Sequence, residues 1–558
     1  MMDNILNVKQ GMVELLAQAT AEAQRQGKLP PVALPEVVME HPRNPEHGDY
    51  ASNLALKLAR AAKLKPLAIA NDIVEHIVSS SRVGRVNVAP PGFINFTLDE
   101  DWLTRQVETI LATGDAYGDI DMGRNSRLQL EFVSVNPTGP LHVGHGRGGV
   151  LGSTLANVLT AAGYDVATEF YINDAGNQIN AFYRSLYTRY QQGLGIDVTI
   201  PDDGYLGSYM TDLAKEIIDE EGDRFTNLPE PEAVSQLGKL GLEKMLTQIK
   251  VDLELLGISF DVWFREQSIF DNGQYDKVTS ILRQRDYLTE REGATWLVST
   301  ASGEDRDNVV VRGDGSPTYF ATDIAYHYNK FIERKFDKVI NIWGADHQGH
   351  VSRMKAVMST LGIDPERLVV IISQLVTLRR GGERVRISKR SGSIITLREV
   401  IDEVGSDACR FGFLSRSADS QMDFDLELAK KQSADNPVYY VQYAHARIAS
   451  ILRLAQQRGI DFRDGDVSLL TTEPELTLIR KMTLLPELVE LIAVTLEPHH
   501  LAYYAQDLAT VFHSFYKQCR VISQDEDLSG VRLKLVQAVK IVLARTLHLM
   551  GMNAPESM

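Results

Sequence analysis

Two stretches of the 558-residue chain carry residue types that handle phosphate. The first, Glu131 to Gly149, begins strand-like, turns through Pro137, Thr138, Gly139 and Pro140, and presents His142 and His145 around Gly144. A helix is expected from Arg147 to Ala162, so the turn lies at a helix N-terminus, where unpaired backbone N–H groups and the helix dipole favour anions. Two imidazoles three positions apart can both donate to phosphate oxygens, and the glycine between them leaves room for an adenine ring. Paired histidines also serve as metal ligands or core residues, and a zinc site would need a further ligand that the sequence does not identify. Gly144, Gly146 and Gly149 spell GxGxxG as well, but a dinucleotide fingerprint wants its first glycine at the strand end, and Asn136 to Pro140 intervene. No GxxxxGKS or GxxxxGKT loop occurs.

The second stretch, Arg379 to Gly392, holds six cationic residues and one anionic residue in a chain whose net charge is −16. Its ordinary interpretation is a solvated basic loop. Glycines flanking such a run also suit a loop that closes over a triphosphate, with Lys389 as the point charge on departing pyrophosphate.

The elements around these stretches follow from periodicity. Residues 1 to about 120 form a small α+β unit, with strands at Arg85–Val88 and Phe93–Leu98 joined by the turn Ala89-Pro90-Pro91-Gly92. Residues 121–432 alternate strand and helix as a Rossmann-like parallel sheet does. Leu128–Phe132 and Asp165–Ile172 make one strand–helix–strand unit, and Lys338–Trp343 and Leu368–Ile372 resume the sheet. Polar material from about 185 to 310 is expected to be insertions. Beyond Asn436-Pro437, residues 433–558 repeat apolar positions at helical spacing and form an all-helical domain, with Gly459 capping one helix.

Composition narrows the class. Hydrophobic residues make up 44% of the chain and charged residues 24%, so it is globular rather than disordered. Cys409 and Cys519 stand far apart without a CxxC, which argues against a disulfide framework and suits a reducing, cytoplasmic setting. Neither a signal peptide nor a membrane-spanning run is visible. The acidic balance disfavours indiscriminate nucleic-acid binding but leaves room for one specific partner on local basic patches.

Taken together, His142-Val143-Gly144-His145 and Arg386-Ile387-Ser388-Lys389-Arg390 resemble the HIGH and KMSKS signatures of class I aminoacyl-tRNA synthetases. Adjoining segments sharpen the resemblance: Ser134-Val135-Asn136-Pro137, Thr318 to His327, and Gly344-Ala345-Asp346-His347-Gln348-Gly349-His350 look like the arginyl-tRNA synthetase family. His47-Gly48-Asp49-Tyr50 with Pro91 to Asn95 looks like that family's N-terminal domain, and the tail like its anticodon-binding domain. The signature loop departs from the pattern, with Arg386 for the first lysine and Arg390 for the last serine; charge is kept at the first position.

The resemblance implies ATP- and Mg2+-dependent attachment of L-arginine to its tRNA through an adenylate, with tRNA bound before the adenylate forms. It implies contacts to the tRNA acceptor end, elbow and anticodon, no membrane, and a monomer. His142, Gly144, His145, Gly344, Asp346, Ser388 and Lys389 would serve ATP. The signature turn would be Pro137 to Leu141 with Val143. Ser134 and Asn136 would hold the amino acid's ammonium and carboxylate, with Glu131 as a second acid and His347 and Gln348 as further pocket residues; no metal is held by protein ligands alone. Tyr319 and Asp323, four apart, share a helix face, where the carboxylate can take a guanidinium bidentately and the ring can stack on it. A carboxylate site rejects amino acids lacking guanidinium, so no editing domain is expected. The rivals are another class I synthetase, a small-molecule adenylate-forming enzyme, and a non-catalytic tRNA-binding relative.

Overall fold

The computed structural model describes residues 5–302, 306–385 and 395–558. Its centre is a parallel five-stranded sheet, ordered Leu368–Ser373, Lys338–Gly344, Arg127–Glu131, Asp165–Ile172 and Val262–Arg265. The middle strand has Leu128, Gln129 and Leu130 buried, as expected where helices cover both faces of a parallel sheet.

The helix after the middle strand runs Val143–Ala161, starting four residues before the expected Arg147. His142 causes the early start: its ring nitrogen accepts the Gly144 N–H at 3.1 Å, capping the helix as Asn or Ser usually would. The glycines of this helix serve packing. A side chain at Gly152 would put its Cβ 2.2 Å from the Phe132 ring, and one at Gly144 would meet the His142 ring at 3.0 Å. Of the GxGxxG glycines, Gly146 and Gly149 would put a Cβ 2.6 Å from Leu397 and 2.9 Å from Ile258, so that spelling too records close packing, and the space at Gly144 is filled by the neighbouring imidazole.

The stretch from 185 to 310 is not all insertion. Val262–Arg265 is an edge strand of the central sheet, too short for its alternation to stand out in sequence. Before it, helices Asn177–Gly193, Ser208–Glu221 and Glu230–Leu255 share a separate core that includes Phe182, Leu186, Leu213 and Leu237. After it comes a small antiparallel sheet of Leu288–Arg291, Ala294–Leu297 and Asn308–Val311.

The N-terminal strands Tyr50–Ser52, Phe93–Leu98 and Val83–Ala89 form an antiparallel sheet. The C-terminal region is helical: Pro437–Gln457, Glu473–Thr483, Leu485–Thr495, His499–Gln518 and Glu526–Leu549. Gly459, at φ 68°, follows the first of these in the left-handed conformation that ends helices. The two terminal regions touch. Arg480 meets Asp49 at 2.9 Å, Lys534 meets Glu108, and Glu487 takes Lys9 at 3.3 Å and His41 at 3.4 Å. Among the described residues no helix is long and apolar enough to cross a membrane.

Candidate active site

Side chains converge at the carboxyl ends of the central strands, where open α/β sheets bind ligands. A cleft of about 590 Å3 is lined there by Glu131, Ser134, Asn136, Tyr319, Asp323, Gly344, Asp346 and His347, all anticipated from sequence. Glu266, Tyr171, His350 and Arg353 join them and were not anticipated. Gln348 lies exposed on the turn Ala345–His350 and does not line the cleft. His142 and His145 stand outside it, at the start of the following helix.

The wall after the middle strand is strained. Val133 (φ 68°) and Ser134 (φ 42°) both adopt left-handed backbone, costly for a β-branched residue. The kink brings the Ser134 hydroxyl to accept the Tyr171 N–H at 3.1 Å. Asn136 donates to Gln178 at the start of the insertion helices.

The opposite wall is the helix Tyr319–Tyr328, capped by Thr318. Asp323 accepts from His350 at 2.9 Å, while Tyr319 leaves its ring half in solvent. Glu131 is paired with Lys330, an ammonium with no solvent exposure. Glu266 is only 3% exposed. Burial, opposed by a Thr322 hydrogen bond and reinforced by Asp323 and Asp174, pushes its carboxyl up to about 7. Four acids line the cleft, Glu131, Glu266, Asp323 and Asp346, with Asp323 close enough to Glu266 to oppose its ionisation, an arrangement that favours a cation. No sequence signal marks Glu266, which follows a four-residue strand, and nothing distinguishes His350 from its neighbour His347 until the fold aims it at Asp323.

The histidine turn is built differently. The two rings stack with centroids 3.5 Å apart. The Nδ1 atoms of His142 and His145 accept backbone N–H groups, from Gly144 at 3.1 Å and from His142 itself at 3.3 Å. The neutral rings therefore carry their protons on Nε2, as donors. Burial, with His142 close by, lowers the pKa of His145 to about 3, so it works as a neutral donor. The turn preceding them is clamped: Leu141 is fully buried, Val143 nearly so, and the Thr138 carbonyl, next to Gly139, accepts from Tyr209 at 2.8 Å. Thr396 bridges to His142, and the Leu397 N–H donates to the Leu141 carbonyl at 2.7 Å. The signature loop's Ser388 and Lys389 lie outside the described residues, but Thr396, seven positions after Lys389, already touches the histidine turn.

The family model "tRNA synthetases class I (R), catalytic domain" matches residues 106–434. The "Arginyl tRNA synthetase N terminal domain" matches 11–98 and the "DALR anticodon binding domain" 441–558. The Dehalococcoides mccartyi arginine–tRNA ligase is 58% identical over the full length of both chains. The chain belongs to the arginyl-tRNA synthetases. Another relative, the Carboxydothermus hydrogenoformans arginine–tRNA ligase, is 50% identical over 93% of this chain and 94% of its own. The solved Thermus thermophilus arginyl-tRNA synthetase shares the fold, with a TM-score of 0.77 at 23% identity over 99% of this chain and all of its own. In this class I family the parallel sheet is the catalytic core and the helical tail the anticodon-binding domain.

Proposed function

We propose that the chain activates L-arginine with ATP to arginyl-adenylate, then transfers the arginyl group to the terminal adenosine of its tRNA, releasing AMP and pyrophosphate. The observation that carries this is the acid-lined cleft at the strand ends, with Asp323, Glu266 and the half-exposed Tyr319 ring. Carboxylates pair with a guanidinium through parallel hydrogen bonds, and an aromatic ring can stack on its plane. Ser134 and Asn136, on the strained wall, suit the amino acid's ammonium and carboxylate; Glu131 lies behind them.

The arginine carboxylate attacks the α-phosphate, so no side chain need act as a covalent nucleophile. The Nε2–H groups of His142 and His145 would donate to phosphate oxygens, which stabilises charge without a change in protonation. Lys389 and Ser388 supply the corresponding contacts to the leaving pyrophosphate. Mg2+ enters as the counterion of the triphosphate, part of the substrate; Gly344 and Asp346 flank the cleft where strand Lys338–Gly344 ends beside Leu368–Ser373.

For tRNA, the helical domain offers a surface suited to unpaired bases. Tyr439 and Tyr443 lie parallel at 6.1 Å, and the Arg447 guanidinium sits over both Tyr443 and Tyr516. Exposed rings with an interleaved cation form a stacking platform, fitting an anticodon loop. The N-terminal unit would meet the tRNA elbow. The chain is taken to act as a monomer in the cytoplasm, which its two buried, unbridged cysteines suit.

Pyrophosphate exchange into ATP, run over all standard amino acids with and without tRNA, tests the function. Arginine alone should support exchange, and only with tRNA present; exchange with a different amino acid would overturn the specificity.

A further inference from the structure

The helix Tyr319–Tyr328 and the π-helical turn Asn329–Glu333 after it present an unusual face to the sheet. Asp323, Tyr326, His327 and Lys330 fall at helical spacing, where a helix covering a sheet normally buries apolar side chains. Lys330 has no exposure, His327 1% and Tyr326 2%. Opposite them stand two carboxylates from neighbouring strands, Glu131 and Glu169, at paired register positions. A buried ammonium and two buried carboxylates are strongly unfavourable unless each finds its partner.

Each does. Glu169 takes Arg334, which holds it through two nitrogens, and the Tyr326 hydroxyl. Glu131 takes Lys330, whose Nζ also donates to the Asn341 side-chain oxygen at 3.1 Å and sits over the Tyr326 ring at 4.1 Å. Asn341 continues the chain from its nitrogen to His327 Nε2 at 2.9 Å, and His327 Nδ1 reaches the Asp323 carbonyl at 2.8 Å. The two pairs differ in one respect. Glu131 lines the cleft, whereas Glu169 does not. π-Helical turns of this kind recur beside functional sites, because the extra residue re-aims the side chains around it.

We infer that Lys330 is a positioning residue for amino-acid binding: it holds the Glu131 carboxylate at the cleft wall and, through Asn341 and His327, fixes the helical turn that carries Asp323. It touches no substrate and acts through these neighbours. The inference rests on the assignment of the cleft to arginine.

Steady-state tRNA charging with Lys330→Met, Arg334→Met, Glu131→Gln and Asp323→Asn separates the possibilities. Lys330→Met should raise the KM for arginine by about tenfold or more while the KM for ATP stays within about threefold, and adding Glu131→Gln should change little further. Arg334→Met removes the neighbouring pair, from the residue that follows the π-helical turn. It should lower the melting temperature without the selective rise in arginine KM, so a merely structural effect is accounted for. If Lys330→Met does not fold, Asn341→Leu breaks the same chain and should raise the arginine KM selectively, by about threefold or more. Equal rises in both KM values, or an unchanged arginine KM, in the variant that folds sinks the positioning role. Asp323→Asn keeps the two levels apart. An arginine KM that responds to it but not to Lys330→Met overturns only this inference, whereas no response to Asp323→Asn removes the arginine cleft and the inference with it.

Discussion

At the scale of single residues, Glu266 is the acid whose state changes near physiological pH. Its carboxyl is pushed up to about 7 by burial and nearby carboxylates, so the unliganded site holds it about half protonated at neutrality. A guanidinium prefers the ionised form, and arginine affinity should therefore strengthen as pH rises from about 6 to 8. Isothermal titration across that range checks this; Glu266→Gln should flatten the dependence, and a wild-type profile already flat would detach Glu266 from the substrate. His145 sets the opposite expectation, because a ring whose pKa lies near 3 adds no titration to adenylate formation above pH 5. Lys389→Ala should slow adenylate formation by roughly 100- to 1,000-fold and leave arginine binding nearly intact; pre-steady-state pyrophosphate release is the measurement, and wild-type rates would remove the lysine from the chemistry. Asp323 and Tyr319 were legible in sequence because their segment, Thr318 to His327, resembles the family's; the four-residue spacing adds only that they share a helix face. Glu266 and His350 were not, because their membership depends on which way short loops after strands turn.

At the scale of elements, the histidine-bearing helix is shaped by what lies against it. Gly152 faces the fully buried Phe132 ring, which itself packs on Phe260 at 4.5 Å. Gly152→Ala should cost about 1–3 kcal/mol, since the ring cannot yield without disturbing the strand end below the cleft. Gly148→Ala, four residues earlier with nothing within 4 Å, should instead be neutral or stabilise by up to about 1 kcal/mol. Chemical denaturation of the two variants separates packing from helix propensity. The alternation that revealed four sheet strands is a property of apolar runs and could be read directly. Val262–Arg265 escaped because four residues carry too little pattern, and the early start of the histidine helix escaped because imidazole is an uncommon cap. The glycine spelling, set aside as a dinucleotide fingerprint, arises for a related reason: close side-chain packing on a helix and pyrophosphate binding both ask for a missing Cβ.

At the scale of the whole molecule, the N-terminal unit is fastened to the helical domain by Glu487, which receives Tyr50, His41 and Lys9. Burial alone would raise the Glu487 pKa and lower that of His41, but their mutual hydrogen bond and charge, with help from Tyr50 and Lys9 on the acid, turn both shifts around. The Glu487 contribution is present above the usual carboxylate pKa and fades as pH falls through its lowered value. The His41 contribution is full below about 6.5 and fades as pH rises through its raised value. Melting temperature should therefore decline from pH 6 towards pH 9 with a slope that Glu487→Gln reduces; identical slopes would place the pH dependence elsewhere. Domain order was legible because each region has its own periodicity, whereas the chain's two end regions share one apolar core, crossed by polar pairs such as Arg480 and Asp49, and periodicity does not say which apolar faces meet. One further feature bears on how the molecule comes into being. The outer wall of the histidine turn is Thr396 and Leu397, which arrive about 250 positions later in the chain. A nascent chain that has emerged only as far as the turn has its helix but not its wall, and such long-range closure is slow compared with local helix formation. During refolding, helical signal should return first and adenylate synthesis last, so that catalytic competence is the final event of assembly.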